Sequence, residues 1–482
     1  MKKFEIQKTI ILVSSCFLLL YSILRAIKVP ITFDESYTLF NFVKAPFTLL
    51  YDNANNHLLN TILLKITTPI FGLSEFSLRI PNLIFHLVFL FFSYKFLKKY
   101  YKNYSLVFTF IILNLNAIFL EFFSLARGYG ISMGLLMMSL YFFSEVIEKR
   151  TYFSREAFFA ILSAGLAVTA TLNILNFYLS SILVLYLFFI LKEINEKYKL
   201  NYKHLIFNKL SLFILSVTAL LAILLTPAII LMERNNQLFF GGNKNFWEDT
   251  VLSLIKSFTY TNYLNENLLN LLQLFVISIL IFITSHFLLT VFKRVKNKKF
   301  ETNTFDFIFL VTFLSAFSTI LQSYIFKTPY LIERTALFFL PLFIILLLLS
   351  LKDLSSQIRS LIFGILASFM ILFFLLVGNL HFAFYWQFEQ SSKELFTDIK
   401  SFSNNYSEDN CIVTRYIYSS SLKYYLETIP NNIDNLFVLE DKEYSKGCNF
   451  YVLYEDDSIP SSKYIQFKEY PSKATLFIKK FD

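Results

Sequence analysis

Runs of about 18 or more mostly apolar residues recur along this chain, too many of them for a soluble core to hide. A helix needs about 20 such residues to cross the ~30 Å hydrocarbon layer of a bilayer. Residues 9–28 set the pattern: they follow Lys2, Lys3 and Lys8, and no small-residue cleavage site ends them, so they read as a first transmembrane helix rather than a removable signal. Similar runs fall at roughly 80–97, 104–121, 128–147, 157–173, 174–191, 208–230, 267–290, 304–325, 335–351 and 358–379, eleven spans in all. The 157–191 stretch holds two short helices only if Asn173 and Asn176 mark a tight turn.

Basic residues beside the spans orient them. Lys98, Lys99 and Lys102 separate spans two and three. Lys149, Arg150 and Arg155 follow span four, and Lys293, Arg294 and Lys296 follow span eight. With eleven spans these loops share one side with the N-terminus, which predicts a cytoplasmic N-terminus. The net charge of +10 is then a topology signal. It is not the basic face that nucleic-acid binding requires, because the segment 380–482 carries 11 basic and 15 acidic residues.

Three outer regions are long: 29–79, 231–266 and 380–482. In the first, 35–50 and 57–71 carry helical-period apolar positions and read as interfacial helices. The last changes character. Helices are expected at 391–403 and 418–426, with strands at 411–416, 435–440, 449–454 and 474–480, giving a small extracytoplasmic α/β domain after a membrane domain over 1–379. Cys16, inside span one, reads as a buried filler. Cys411 and Cys448 could form a disulfide or remain two buried thiols.

Charged groups at the outer membrane face are the candidates for chemistry. Asp34-Glu35 follows Pro30. Asp34 could simply cap a helix, or it could serve as a general base at the mouth of a membrane cavity. Glu35, on another helical face, would bind backbone, a cation or an arginine. In Asn55-Asn56-His57, His57 could meet a phosphate, an acceptor or, with Glu35, a divalent metal, although no tight ligand spacing supports a metal. Arg79 and Arg127 sit on the outer side against the positive-inside trend. Each suggests a bidentate contact to phosphate, or an internal salt bridge with Glu75 or Glu121. Lys327, Tyr330, Glu333 and Arg334 form a further cluster, and Gly241-Gly242 gives the 231–266 loop a flexible point, as a lid would need. No Walker or Rossmann glycine loop is present.

The motifs Phe33-Asp34-Glu35, Asn56-His57-Leu58-Leu59, Phe71 to Pro81 and Ser124-Leu125-Ala126-Arg127-Gly128-Tyr129 occur in this order. In them the chain resembles the GT-C superfamily of membrane glycosyltransferases, on the branch of protein O-mannosyltransferases and lipid A aminoarabinose transferases. One departure is His57-Leu58-Leu59 where those proteins commonly carry His-Pro-Pro. The resemblance implies an all-α polytopic membrane protein of GT-C type, and an inverting transfer of a sugar from a polyprenyl phosphate to an envelope glycan, lipid or protein outside the cytoplasm of a bacterium. Asp34 would be the base, with Glu35 beside it as the second catalytic residue, and Arg127 and Arg334 would stabilise the departing phosphate, with Asn56, His57, Arg79, Tyr129, Lys327 and Tyr330 as further substrate contacts. A transporter or flippase of lipid-linked glycans is the competing reading. It would be expected to show paired repeats or broken helices with ionisable groups at mid-membrane.

Overall fold

The computed structural model describes residues 2–46, 53–197, 208–237, 239–261, 264–297, 301–403, 406, 411–429, 436–441, 447–454 and 463–480. Among them, eight helices are long and apolar enough to cross a membrane. In chain order the first half comprises α1 (Lys2–Lys28), α2 (Phe33–Thr38), α3 (Leu58–Phe71), α4 (Glu75–Tyr100), α5 (Asn103–Asn114), α6 (Ala117–Phe123), α7 (Gly128–Lys149), α8 (Arg155–Ala170) and α9 (Leu175–Lys197). The second half of the bundle comprises α10 (Lys209–Arg234), α11 (Leu252–Thr259), α12 (Glu266–Lys296), α13 (Thr304–Phe326), α14 (Phe339–Ser350) and α15 (Ser356–Val377).

Two of the eleven expected spans take a shorter form. The 157–173 run is α8, 16 residues and about 24 Å long, and the 335–351 run is α14, 12 residues and about 18 Å long. The 104–121 run is α5 and α6, bent by 66° between them. The break lies at Asn116, whose side chain accepts from the amides of Ile118 and Phe119 and so satisfies donors that the interrupted helix exposes. The bend turns Glu121 and Ser124 toward the end of α1. Cys16 is exposed on the outer face of α1 rather than buried, since the inward positions of that helix are Ile11 and Leu18.

Beyond the bundle, α16 (Ser392–Ser403) and α17 (Tyr416–Thr428) pack on a five-stranded sheet. Its strands are β1 (Cys411–Thr414), β2 (Phe437–Glu440), β3 (Phe450–Tyr454), β4 (Tyr464–Glu469) and β5 (Ala474–Lys479), in the order β2-β1-β3-β5-β4. β1 runs parallel to β2 and β3, while β5 is antiparallel to β3 and β4. The expected helices and strands all appear, apart from residue 435, which lies outside the described residues. Strand β4 was not expected. It is an edge strand with mostly exposed or half-buried side chains, so it lacks the buried alternation that marks a strand. Cys411 and Cys448 are joined as a disulfide.

This α/β unit shares a core with the first outer loop. Ile31, Leu39, Leu64, Leu78 and Ala126 cluster with Leu395, Phe396, Tyr418, Leu422 and Tyr425. The Tyr425 hydroxyl accepts from the Ile31 amide at 2.9 Å, and the Tyr416 ring lies 4.7 Å from Phe33. Helix α2 is therefore held between the membrane bundle and the α/β unit.

Candidate active site

Helix α2 begins with a capping box. Thr32 is the N-cap and accepts from the Glu35 amide, while the Glu35 carboxylate accepts from the Thr32 amide. Capping thus falls to Thr32 and Glu35 and leaves the Asp34 side chain available. The two neighbouring carboxylates then meet different partners.

Arg79 grips Glu35 with two parallel bonds, Nε to Oε1 at 2.8 Å and Nη2 to Oε2 at 2.7 Å. The remaining guanidinium donors go to the carbonyls of Ala26, Val29 and Pro30, where α1 ends. The Ala126 amide donates to Glu35 as well, at 2.6 Å. Both side chains have no exposure. Burial alone would raise the Glu35 carboxyl, but the Arg79 charge and these donors hold it below the usual glutamate range. Neither Arg79 nor Glu35 keeps a group for a ligand. The phosphate contact expected of Arg79, and the catalytic and metal-ligand roles expected of Glu35, find no support in this geometry, and the partner of Arg79 is neither Glu75 nor Glu121.

Asp34 meets two arginines at longer range. Its Oδ2 lies 3.4 Å from Arg127 Nη2 and 3.7 Å from Arg334 Nη2. Among the described residues it is the one carboxylate within ion-pair distance of either arginine. Arg127 also donates to the Thr38 hydroxyl at 3.0 Å, to the Asp34 carbonyl at 3.3 Å and to the Asn55 side chain. Asn55 in turn reaches Asp34 Oδ1 at 3.4 Å. The guanidinium of Arg334 lies over three rings: Phe240 at 4.4 Å, Trp386 at 5.0 Å and Tyr385 at 5.7 Å. Asp34 Oδ2, Arg127 Nε and His57 Nε2 are all buried without a hydrogen-bond partner among the described residues.

His57 is the N-cap of α3, and its Nδ1 bonds to the Ala170 carbonyl at 3.0 Å. Gly128 makes this approach possible, since a Cβ there would sit 1.9 Å from the Ala170 oxygen. The Tyr129 ring meets the imidazole edge-on at 5.0 Å. Burial, then the Arg127 and Arg334 charges, push the imidazole well below its ordinary value, so it is neutral.

Other expected residues lie apart. The side chain of Asn56, expected as a substrate contact, accepts from Thr61, and it is Asn55 that reaches Asp34. Lys327 is exposed at the end of α13, its ammonium 5.5 Å from the Tyr324 ring. Tyr330 exchanges both backbone hydrogen bonds with Gly242. Gly241 and Gly242 serve that close approach: a Cβ on Gly241 would lie 2.4 Å from Pro329, and one on Gly242 would lie 2.0 Å from Asp249. These contacts pin the loop at the point expected to flex.

Sequence reading missed a second buried network. Arg25, at the end of α1, donates to Glu121 at 3.1 Å and to the carbonyls of Asn379 and Phe382. The Phe384 amide and the Tyr260 hydroxyl also donate to Glu121. The segment 379–389 is thereby fastened across the bundle, with Tyr385 and Trp386 against Arg334. It ends at Glu389, a carboxyl buried away from solvent. Burial raises that carboxyl well above the usual glutamate range; the Ser421 hydroxyl and the Phe33 backbone oppose the shift, and the Asp34 and Glu35 charges add to it. An arginine closing a span reads as a topology signal, so nothing in the sequence marked Arg25 as the centre of this network.

No protein-family model and no curated protein matches the sequence. Solved structures do. ArnT from Cupriavidus metallidurans bound to undecaprenyl phosphate superposes with a TM-score of 0.57 at 11% identity, covering 97% of each chain. The apo state of the same protein gives 0.57 at 10% identity over 96% of each chain. An oligosaccharyltransferase from Archaeoglobus fulgidus matches at a TM-score of 0.42 and 13% identity, over 87% of this chain and 63% of that one. The chain has the GT-C fold, as its motifs led us to expect.

Proposed function

We propose that this protein transfers a sugar from a polyprenyl phosphate to a hydroxyl-bearing acceptor in the cell envelope, with Asp34 as general base. The observation that carries the reading is the imbalance at Asp34: two guanidiniums, Arg127 buried and Arg334 half-buried, share one carboxylate. A buried charge in excess calls for a counter-charge, and a phosphate supplies it. The solved structure of ArnT, which shares the fold along nearly its whole length, holds undecaprenyl phosphate.

In the proposed step the acceptor oxygen attacks the anomeric carbon as its proton passes to Asp34. The bond from that carbon to the phosphate oxygen breaks, and the electron pair leaves with the polyprenyl phosphate. The attacking and leaving oxygens lie on opposite faces, so the anomeric centre inverts, with one carboxylate and no covalent intermediate. Arg127 and Arg334 stabilise the charge that grows on the leaving group. The basic loops favour a cytoplasmic N-terminus, and with it a position for this site and the α/β unit on the outer face of what we read as a bacterial inner membrane.

A divalent metal was among the expectations. Both Glu35 oxygens are taken, and no group of three or more His, Cys, Asp or Glu converges among the described residues. The donor set does not make a metal site, and no step here passes through one.

The test is transfer from a panel of labelled polyprenyl-phosphate sugars by purified protein in lipid nanodiscs. Asp34→Asn is expected to lower the rate by ~10³-fold or more while the protein stays folded and still binds polyprenyl phosphate. Movement of a lipid-linked sugar across the bilayer, with no transfer from any donor, would replace this reading with that of a transporter.

A further inference from the structure

We propose that His57 presents a hydrogen-bond acceptor to a substrate hydroxyl, on the sugar or on the acceptor, and takes no part in holding phosphate. The proposal rests on the transferase reading and names what this part of the site recognises.

The Ala170 carbonyl can only accept, so the imidazole proton sits on Nδ1. Nε2 then carries a lone pair, and it is buried and without a hydrogen-bond partner among the described residues. A second proton would turn the ring into a cation beside Arg127 and Arg334, in a site with one carboxylate between them. A phosphate oxygen brought to Nε2 would set lone pair against lone pair. A hydroxyl donates there, and satisfies an acceptor that otherwise stays unpaired at a cost.

The ring is held for this purpose. The bond to Ala170, the close pass at Gly128 and the edge of Tyr129 fix it from three directions. His57 also lines a cavity of about 40 Å³. Asn53, Asn56 and Thr171 give that cavity polar walls, and Leu225 and Met232 of α10 give it an apolar one. At ~15 Å³ for each water-sized group, it has room for a hydroxyl or hydroxymethyl edge and not for a whole sugar ring. The division of labour is then chemical: arginines for the phosphate, an acceptor nitrogen for a hydroxyl.

The test compares wild type with His57→Phe and His57→Gln in nanodiscs, using two readouts. One is the affinity for polyprenyl phosphate alone. The other is kcat/KM with parent and single-deoxy sugars on the donor, and with hydroxyl-bearing and deoxy acceptors. His57→Phe is expected to lower kcat/KM by ~10–100-fold and to change polyprenyl-phosphate affinity by less than about 2-fold, since that affinity rests on the arginines. His57→Gln, whose carbonyl can accept, is expected to recover part of the loss. One deoxy compound should be poor with wild type and no poorer with His57→Phe. A deoxy donor behaving so assigns the hydroxyl to the sugar, and a deoxy acceptor assigns it to the acceptor. A fall of ~10-fold in phosphate affinity with His57→Phe overturns the proposal whether or not transfer is seen. So does a loss of activity that every deoxy compound leaves in place. Wild-type protein that binds polyprenyl phosphate yet transfers nothing overturns the transferase reading, and the hydroxyl assignment with it.

Discussion

Asp34 and Glu35 are neighbours on one helical turn, and their surroundings differ in kind. Glu35 lies in a closed network: two bonds from Arg79, one from Ala126, and Thr32 behind it. Asp34 stands 3.4 and 3.7 Å from two arginines, and among the described residues neither arginine has another carboxylate in reach and Asp34 Oδ2 has no hydrogen-bond partner. A satisfied buried pair holds a structure together, because every donor and acceptor is spent internally. An under-satisfied one stores a vacancy that a ligand can fill. The pair reads as an anchor beside a tool: Glu35 fixes α2 so that Asp34 is aimed.

Breaking the anchor should produce the largest effect on stability. Arg79→Met leaves Glu35 as a buried carboxylate with no counter-charge, and removing one partner of such a pair costs about 3–5 kcal/mol. Chemical denaturation in mild detergent should show that loss, whereas Asp34→Asn should leave the unfolding midpoint nearly in place. Equal destabilisation by both would erase the distinction drawn here. The sign with pH follows from the lowered Glu35 carboxyl. Its contribution is full above the carboxylate value of the unfolded chain and is lost as pH falls through the lower folded value, so acid should weaken wild type more than Arg79→Met.

Part of this arrangement is legible in the sequence. Thr32-Phe33-Asp34-Glu35 carries the T-x-x-E spacing of a capping box, which assigns Glu35 to structure and frees Asp34. The ordered motifs around Asp34, His57 and Arg127 located three of the groups that converge, and the apolar runs located the bundle. The pairing itself was hidden. Nothing local says that Arg79 rather than Arg127 takes Glu35, since the choice depends on where α1 ends and which carbonyls it leaves open. Arg25, Asn55 and Glu389 escaped for the same reason: each acquires its role from chain 21 to 357 positions distant, or from burial that composition does not reveal. The shape of the spans was hidden differently. Hydropathy measures apolar length and is blind to the 66° break at Asn116, or to a helix that stops after 12 residues.

On the tool side, Arg334 offers the next effect in size. Three aromatic rings from two separate segments surround its guanidinium, which stands 3.7 Å from Asp34. Arg334→Lys keeps the charge and loses both the guanidinium's contacts with the rings and the fork that matches phosphate. A fall of about 10–100-fold in kcat/KM is expected, with little change in thermal stability. Unchanged kinetics would mean that the site needs only a point charge there, and the aromatic contacts would then be packing.

The smallest effect belongs to the ion pairs outside this region. Lys44 and Glu427 join the first outer loop to α17, with both side chains more than 40% exposed. In high dielectric such a pair contributes under about 1 kcal/mol. Lys44→Ala should therefore shift stability by no more than that, and added salt should weaken wild type only slightly at this contact. The α/β unit is held instead by the shared core around Ile31, Leu78, Phe396 and Tyr425, where burying one large apolar side chain stabilises by about 1.5–3 kcal/mol. A loss well above 1 kcal/mol in Lys44→Ala would show that charge, rather than apolar contact, docks the unit on α2. The contrast would then no longer divide buried pairs from exposed ones, and pairs linking α2 to its surroundings would have to be weighed by position instead of burial.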